Sequence, residues 1–190
     1  GPDGACAGRC RERQAEIAGP WAVRVSVPAD CRVEFSDRLQ GPQAYDLGRE
    51  LPDFVVRRKD GLDAYQLAVV VDDANQGITH VVRGSDLLDS TPRQIFLQRL
   101  LGCRAPRYCH LPVITNAQGQ KLSKQNRAPA LDDGRPAANL RQALCFLQQE
   151  TPPAQLRDAG ELLAFALRRW DPGRIPAVLA VTAPGGGRAP

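Results

Sequence analysis

Lys121 and Lys124 stand in the polar loop Lys121-Leu-Ser-Lys-Gln125, shortly after Gly119, where flexible ammonium groups can meet charge that develops on a phosphate. Two lysines in a loop are equally consistent with a solvated surface. Arg83 closes the run Ile78-Thr-His-Val-Val-Arg-Gly84. A fixed guanidinium can grip a carboxylate with two parallel hydrogen bonds, or pair with the nearby Asp86 or Asp89. Tyr65 offers a phenolic donor, the plain alternative being core packing with a wet hydroxyl. Cys6 and Cys10, spaced Cys-x3-Cys, suit half of a tetrahedral zinc set or simply two free thiols. Asp72-Asp73 suggests magnesium, but adjacent side chains point in different directions and turn or capping roles suit them better. His80 and His110, the two histidines of the chain, are flanked by apolar residues and read as hydrogen-bonded structural groups. Cys103, Cys109 and Cys145 read as small buried hydrophobes.

Local patterning indicates the elements that hold these groups. Trp21-Ala-Val-Arg-Val-Ser-Val27 and Cys31-Arg-Val-Glu-Phe-Ser36 alternate as strands do, and Phe54-Val-Val-Arg-Arg58 runs into the turn signal Lys59-Asp60-Gly61. The first third is therefore expected to be β-rich, with no element assigned to the Gly-, Asp- and Gln-rich stretch that ends at Leu51. Tyr65-Gln-Leu-Ala-Val-Val-Val-Asp-Asp73 suits either a buried strand or a helix, because so short an apolar run does not decide. Ile78–Gly84 is β-branched and reads as a strand. Ser90 or Thr91 is expected to cap a helix with Pro92 in its first turn and a stop at Gly102. A strand delivering its end to a helix N-terminus is a usual setting for a ligand site. Further helices are expected over 137–149 and 155–170, separated by Pro152-Pro153, and the glycine-rich tail from Pro184 is expected to be disordered.

A chain of 190 residues, 43% hydrophobic, can bury one core and a small satellite lobe. No apolar run approaches the ~20 residues that a membrane-spanning helix needs, and the opening is not a secretory signal. A net charge of +4 and a pI near 8.9 give a mild preference for polyanions without identifying one. Six cysteines are too thinly spread for a disulfide-stapled scaffold, which points to a reducing, cytoplasmic setting. No methionine occurs, so the sequence reads as processed or as part of a longer gene product.

Three segments together resemble the second half of the glutamyl-tRNA synthetase catalytic core, a class I aminoacyl-tRNA synthetase family. They are Tyr65–Asp73, Gly77-Ile-Thr-His-Val-Val-Arg-Gly-Ser-Asp-Leu-Leu-Asp-Ser-Thr-Pro-Arg-Gln94, and His110-Leu-Pro followed by Lys121-Leu-Ser-Lys124. The resemblance covers Pro52–Gln125. It is similar above all to the short branch, glutamyl-Q tRNA(Asp) synthetase, because the stretch after Gln125 is too short for an anticodon-binding region and the loop ends in Gln125 where the longer class usually has Ser.

The resemblance implies an α/β fold, the second half of a Rossmann-type catalytic domain with a β-rich insertion and a small C-terminal helical bundle. The implied division is 1–60 for the Cys-containing loop and insertion, 61–130 for the core, 131–183 for the bundle and 184–190 for the tail. It implies a cytoplasmic monomer that uses ATP with Mg2+ to activate L-glutamate and transfers it to the queuosine base of tRNA(Asp). Lys121 and Lys124 are the implied catalytic pair, Lys124 contacts ATP, and Tyr65 and Arg83 bind glutamate. In the family's metal loop Cys6-Ala-Gly-Arg-Cys10-Arg11 fits in either of two registers, and both put the first two zinc ligands before residue 1. The family's His-x-Gly-His element is absent, so the chain resembles roughly the last two thirds of the short enzyme and is expected to be inactive alone. The alternatives are a fragment of a glutamyl-tRNA synthetase that charges the tRNA 3′ end, and a non-catalytic RNA-binding module derived from the fold.

Overall fold

A computed structural model describes residues 19–51, 53–123, 128 and 130–183. These residues form two compact units. The first holds the described residues up to Val82 together with Leu87–Cys109, and the second holds Arg83–Asp86 together with the described residues from His110 onward.

The first unit opens with β1 (Val23–Val25), which pairs antiparallel with β4 (Phe54–Arg57). Between them β2 (Arg32–Asp37) and β3 (Gly41–Asp46) form an antiparallel hairpin in register from Arg32↔Asp46 to Asp37↔Gly41. Asp37 Oδ1 accepts from the backbone N–H of Leu39 and Gln40 at 3.0 and 2.9 Å, and Gly41 takes φ +75°, so short-range polar chemistry closes the turn. β3 lies in the Gly-, Asp- and Gln-rich stretch to which no element was assigned from the sequence; Pro42 is tolerated since β3 is an edge strand, in the order β3-β2-β6-β5. In that order β5 is His80–Gly84 and β6 is Arg107–Leu111, and β6 runs parallel to β2 with Asp37 opposite Tyr108. A four-residue helix α1 (Leu47–Glu50) follows β3 directly and buries Leu47 completely.

The run opened by Tyr65 is helical: α2 spans Tyr65–Asn75. It ends where Gly77 adopts φ +67° and the N–H groups of Gln76 and Ile78 reach the carbonyls of Asp72 and Asp73 at 2.9 Å each. Asp72 and Asp73 thus occupy a helix end. A 3-10 turn, Ser85–Ser90, leads into α3 (Thr91–Leu100). The expected cap is not made there, since Ser90 is already helical in backbone and its hydroxyl accepts from Gln66 Nε2 at 3.1 Å. Thr91, fully buried, returns its hydroxyl to Leu87 O instead.

Val27, Val33, Leu47, Phe54, Val70 and Ile95 lie at the centre of this unit's core. Each such side chain contributes roughly 1.5–3 kcal/mol by leaving water. Two glutamines buried beside them are hydrogen-bonded, Gln94 Nε2 to Gln66 Oε1 at 2.9 Å and Gln98 Nε2 to the Tyr108 hydroxyl at 3.1 Å. Tyr45 donates to Asp89 Oδ1 at 3.3 Å, and burial followed by the negative charge of Asp89 pushes its phenol up to about 12.

In the second unit β7 (Val113–Thr115) runs parallel to β8 (Ala180–Thr182), and α4 (Pro136–Phe146) packs on α5 (Ala159–Arg169). Where a small bundle was expected, the described residues hold this pair of helices. Arg141 of α4 fastens the intervening loop by donating to the carbonyls of Pro152, Pro153 and Leu156 at 2.8, 2.7 and 2.5 Å. That loop delays α5 to Ala159, where Asp158 Oδ1 caps it by accepting from Gly160 N and Glu161 N at 2.8 and 3.1 Å. Asp158→Ala is expected to cost about 1 kcal/mol of unfolding free energy, read as a lower urea midpoint at unchanged slope.

Cys145 is exposed and Cys103 and Cys109 are half-buried, a correction to their reading as buried hydrophobes. Helix α4 buries Leu144, and the next residue on a helix points about 100° away, so Cys145 faces outward. Desolvation and the neighbouring Asp37 hold the Cys109 thiol above its usual range, opposed by Arg38.

Candidate functional site

Arg83 is the penultimate residue of β5 and His110 the penultimate residue of β6, both in the second unit. Arg83 Nε donates to His110 Nε2 at 3.0 Å, and the His110 ring is fully buried. The sequence had offered Asp86 or Asp89 as the plain partner of Arg83. Asp86 Oδ2 accepts from Lys121 Nζ at 2.5 Å. The strand-end segment Arg83–Asp86 and the first lysine of the basic loop therefore meet.

Local structure explains how Lys121 arrives there. Asn116 Oδ1 accepts from the N–H groups of Gln118 and Gln120 at 3.0 and 2.9 Å, and Gly119 takes φ +74°, which folds the chain back on itself. The returning strand makes an antiparallel bridge between Lys121 and Thr115, and Leu122 N donates to Ile114 O at 2.8 Å. The Lys121 backbone is thus tied to β7 while its side chain remains about half exposed. β7 is held in turn, since Val113 N donates to Leu179 O at 3.0 Å and the buried Ser85 hydroxyl donates to the same carbonyl. Gly84 permits this packing: a Cβ there would meet the Asp86 carboxylate and stand 3.3 Å from Val113 Cγ1.

Tyr65 is the first residue of α2, in the first unit, and is half exposed. Lys124, Cys6 and Cys10 lie outside the described residues. His80 is exposed, with Nδ1 2.9 Å from the Thr79 hydroxyl. Among the described residues no group of three or more His, Cys, Asp or Glu could hold a metal ion, and no helix is long and apolar enough to cross a membrane.

Two members of the cluster were not assigned a functional part from the sequence. From the sequence Asp86 reads only as a partner for Arg83, and His110 as a hydrogen-bonded structural group. The signal that could have found them is their place beside the motif residues, Asp86 within Arg83-Gly-Ser-Asp86 and His110 in His110-Leu-Pro, but no local spacing pairs either with its partner. Chemically the cluster offers a rigidly backed guanidinium, suited to a carboxylate, and an ammonium on an exposed ion pair, suited to exchange for another anion.

Over residues 5–144 the chain matches the family model for the catalytic domain of class I tRNA synthetases (E and Q). It is 51% identical over 174 residues to the glutamyl-Q tRNA(Asp) synthetase of Neisseria meningitidis, covering 89% of this chain and 58% of that protein. It is 54% identical over 157 residues to the protein of the same name from Pseudomonas paraeruginosa, covering 82% of this chain and 53% of that one. The Thiobacillus denitrificans relative, also so named, is 48% identical over 188 residues, covering 92% and 62%. The chain thus spans between about half and three fifths of the length of these curated relatives. Among solved structures, glutamate-tRNA synthetase from Elizabethkingia anophelis has the same fold over 86% of this chain and 37% of its own, with a TM-score of 0.67 at 22% identity.

Proposed function

Since the chain belongs to the class I tRNA synthetase (E and Q) catalytic-domain family, we propose that the complete protein activates L-glutamate with ATP and transfers it to the queuosine base of tRNA(Asp). The acceptor is carried by the relatives, which bear the name glutamyl-Q tRNA(Asp) synthetase. The protein would work as a cytoplasmic monomer, with residues 61–130 supplying the second half of the catalytic core, 1–60 the insertion, 131–183 a helical bundle and 184–190 a tail.

The observation that supports this reading most is the meeting of the strand-end segment with the basic loop, Lys121 Nζ lying 2.5 Å from Asp86 Oδ2, three residues after Arg83. In the proposed reaction a carboxylate oxygen of glutamate attacks the α-phosphorus of ATP and pyrophosphate departs. The acceptor's hydroxyl then attacks the acyl carbon and AMP leaves. One glutamate carboxylate must be free to attack, so Arg83 takes the side-chain carboxylate, and Tyr65 adds a phenolic hydrogen bond to the same substrate. A guanidinium selects carboxylate over the uncharged amide of glutamine, because the amide presents an N–H group where two acceptors are wanted.

Lys121 and Lys124 stabilise charge on the phosphates as pyrophosphate leaves, with Lys124 on the ATP side. Lys121 does so by exchanging Asp86 for a phosphate oxygen. The exchange costs little, because an ion pair with side chains 48% and 34% exposed is worth about 0–1 kcal/mol. Magnesium would accompany ATP and neutralise its phosphates. Cys6 and Cys10 are two candidate thiolates of a zinc site, and no step of the reaction runs through zinc.

The test is pyrophosphate exchange by the protein expressed from its full reading frame. Exchange is expected with glutamate and ATP in the absence of tRNA, and labelled glutamate is expected to reach tRNA(Asp) that contains queuosine but not tRNA(Asp) that lacks it. Glutamate arriving at the 3′ end of a glutamate tRNA would reassign the protein to 3′-end charging. RNA binding without any exchange would make it a non-catalytic module.

A further inference from the structure

We propose that Gln66 is a positioning residue for Tyr65: its side-chain amide ties the first turn of α2 to the start of α3 and so holds the Tyr65 phenol in place for glutamate. This deepens the reading of Tyr65 as a glutamate contact given above and rests on it.

Helix α2 begins at Tyr65 without a side-chain cap, since the residue before it is Ala64, which has no acceptor to offer the first N–H groups. Helix ends fray, and Tyr65 is the first residue of this one. A ligand contact carried on a loose turn must be ordered each time substrate binds, and that cost comes off the affinity. The bond from Ala64 N to Val56 O, at 2.8 Å, fixes where the chain enters the helix but not how its first turn faces. Gln66 fastens the turn from the side. Its Nε2 donates to the Ser90 hydroxyl at 3.1 Å, and its Oε1 accepts from Gln94 Nε2 at 2.9 Å. Ser90 and Gln94 are four positions apart at the start of α3, so a single amide bonds to two points on one helix face. Tyr65, Gln66, Ser90 and Gln94 all belong to the first unit.

The residue types suit this task. A primary amide carries both an acceptor and donors, so Gln66 bonds to an amide and a hydroxyl at once. Gln94 is only 2% exposed, and a hydrogen bond shielded from water is held more firmly than one at the surface. Both glutamines are uncharged, so the tie adds no negative charge beside an anionic substrate. Successive residues on a helix point about 100° apart. Holding Gln66 against α3 therefore turns Tyr65 away from that contact, where it stands half exposed.

The tests use the protein expressed from its full reading frame. Gln66→Met keeps the length of the side chain and removes both bonds. It is expected to raise the KM for glutamate about fivefold in pyrophosphate exchange, with kcat and the KM for ATP changed by less than about twofold. Gln94→Met, which cuts the same tie from α3, is expected to act in the same direction. Tyr65→Phe is expected to raise the glutamate KM about tenfold, and adding Gln66→Met to it should change the value by less than about twofold, because both substitutions act through one phenol. Nitrogen-15 relaxation of the Tyr65 amide is expected to report rigid backbone in the wild type and a mobile terminus in Gln66→Met. An unchanged glutamate KM in Gln66→Met overturns the proposal, as do equal losses for ATP and glutamate, the mark of a merely structural residue. Effects that multiply in the double variant, or a Tyr65 amide equally rigid with and without the tie, overturn it as well. If Tyr65→Phe takes glutamate as the wild type does, the reading of Tyr65 fails and the proposal with it. If Tyr65→Phe loses affinity and Gln66→Met does not, that reading stands and the positioning role alone falls.

Discussion

Arg83→Lys is expected to raise the KM for glutamate by roughly two orders of magnitude in pyrophosphate exchange, about 2.7 kcal/mol of lost binding, while the KM for ATP stays near the wild-type value. Charge is conserved in this substitution, so the loss measures geometry. Arginine has a planar fork in which Nε can bond to His110 Nε2 while the two terminal nitrogens grip a carboxylate. Lysine ends in a single ammonium, and that group cannot occupy both places. If it turns to the substrate, the buried imidazole loses its donor, which costs on the order of 1–3 kcal/mol of stability. If it turns to His110, the carboxylate is left without its partner. A thermal melt of the variant, run alongside the kinetics, separates the two outcomes. A glutamate KM equal to that of the wild type would remove Arg83 from the substrate site altogether.

The largest purely structural effect is expected at Gly48. Gly48→Ala should destabilise the first unit by about 3 kcal/mol, at the upper end of ordinary overpacking. The residue lies in the short helix after β3, where its N–H donates to Cys31 O at 3.3 Å. A Cβ at this position would meet Pro28 O, and would stand 2.5 Å from Ala29 O and 2.7 Å from the Ala29 carbonyl carbon. These are backbone atoms, and Cys31 N ties the same segment together by donating to Pro28 O at 3.0 Å, so no side chain can swing aside to make room. Next to it Leu47 is completely buried in the core, which prevents the helix from sliding outward. Because a domain of this size is held by roughly 5–15 kcal/mol in total, a loss of that order is readily seen in a urea titration. A midpoint within error of the wild type would mean that the loop before β2 is far softer than its bonds indicate.

Several elements could be read from local pattern. The alternation in Cys31–Ser36 and Phe54–Arg58 corresponds to β2 and β4, and the Pro92 and Gly102 signals bracket α3 within two residues. Other elements resisted for identifiable reasons. β6 was not assigned because its inward positions are Tyr108 and His110, a phenol and an imidazole, which do not look apolar although both are buried. The stretch beginning at Tyr65 was ambiguous because its apolar run, Leu67 to Val71, is too short to decide between the two periods, and α2 buries only Val70 outright. Ser90 looked like a cap, but the 3-10 turn before it moved its backbone into the helix and released its hydroxyl for Gln66.

Residue type and order were enough to name a family and the chemistry its groups can perform: an arginine for a carboxylate, lysines for phosphates, glycines and Asn116 for the turns that carry them. Partner choice was a different matter. Arg83 could have met any of several nearby groups, and it meets His110, 27 positions away; Lys121 meets Asp86 across 35 positions. Local sequence governs backbone preferences over a few residues, whereas pairing across such distances depends on which strand ends and turns come to lie side by side. That adjacency is set by burial of the whole core and by hydrogen bonding between strands, and only the folded chain contains it.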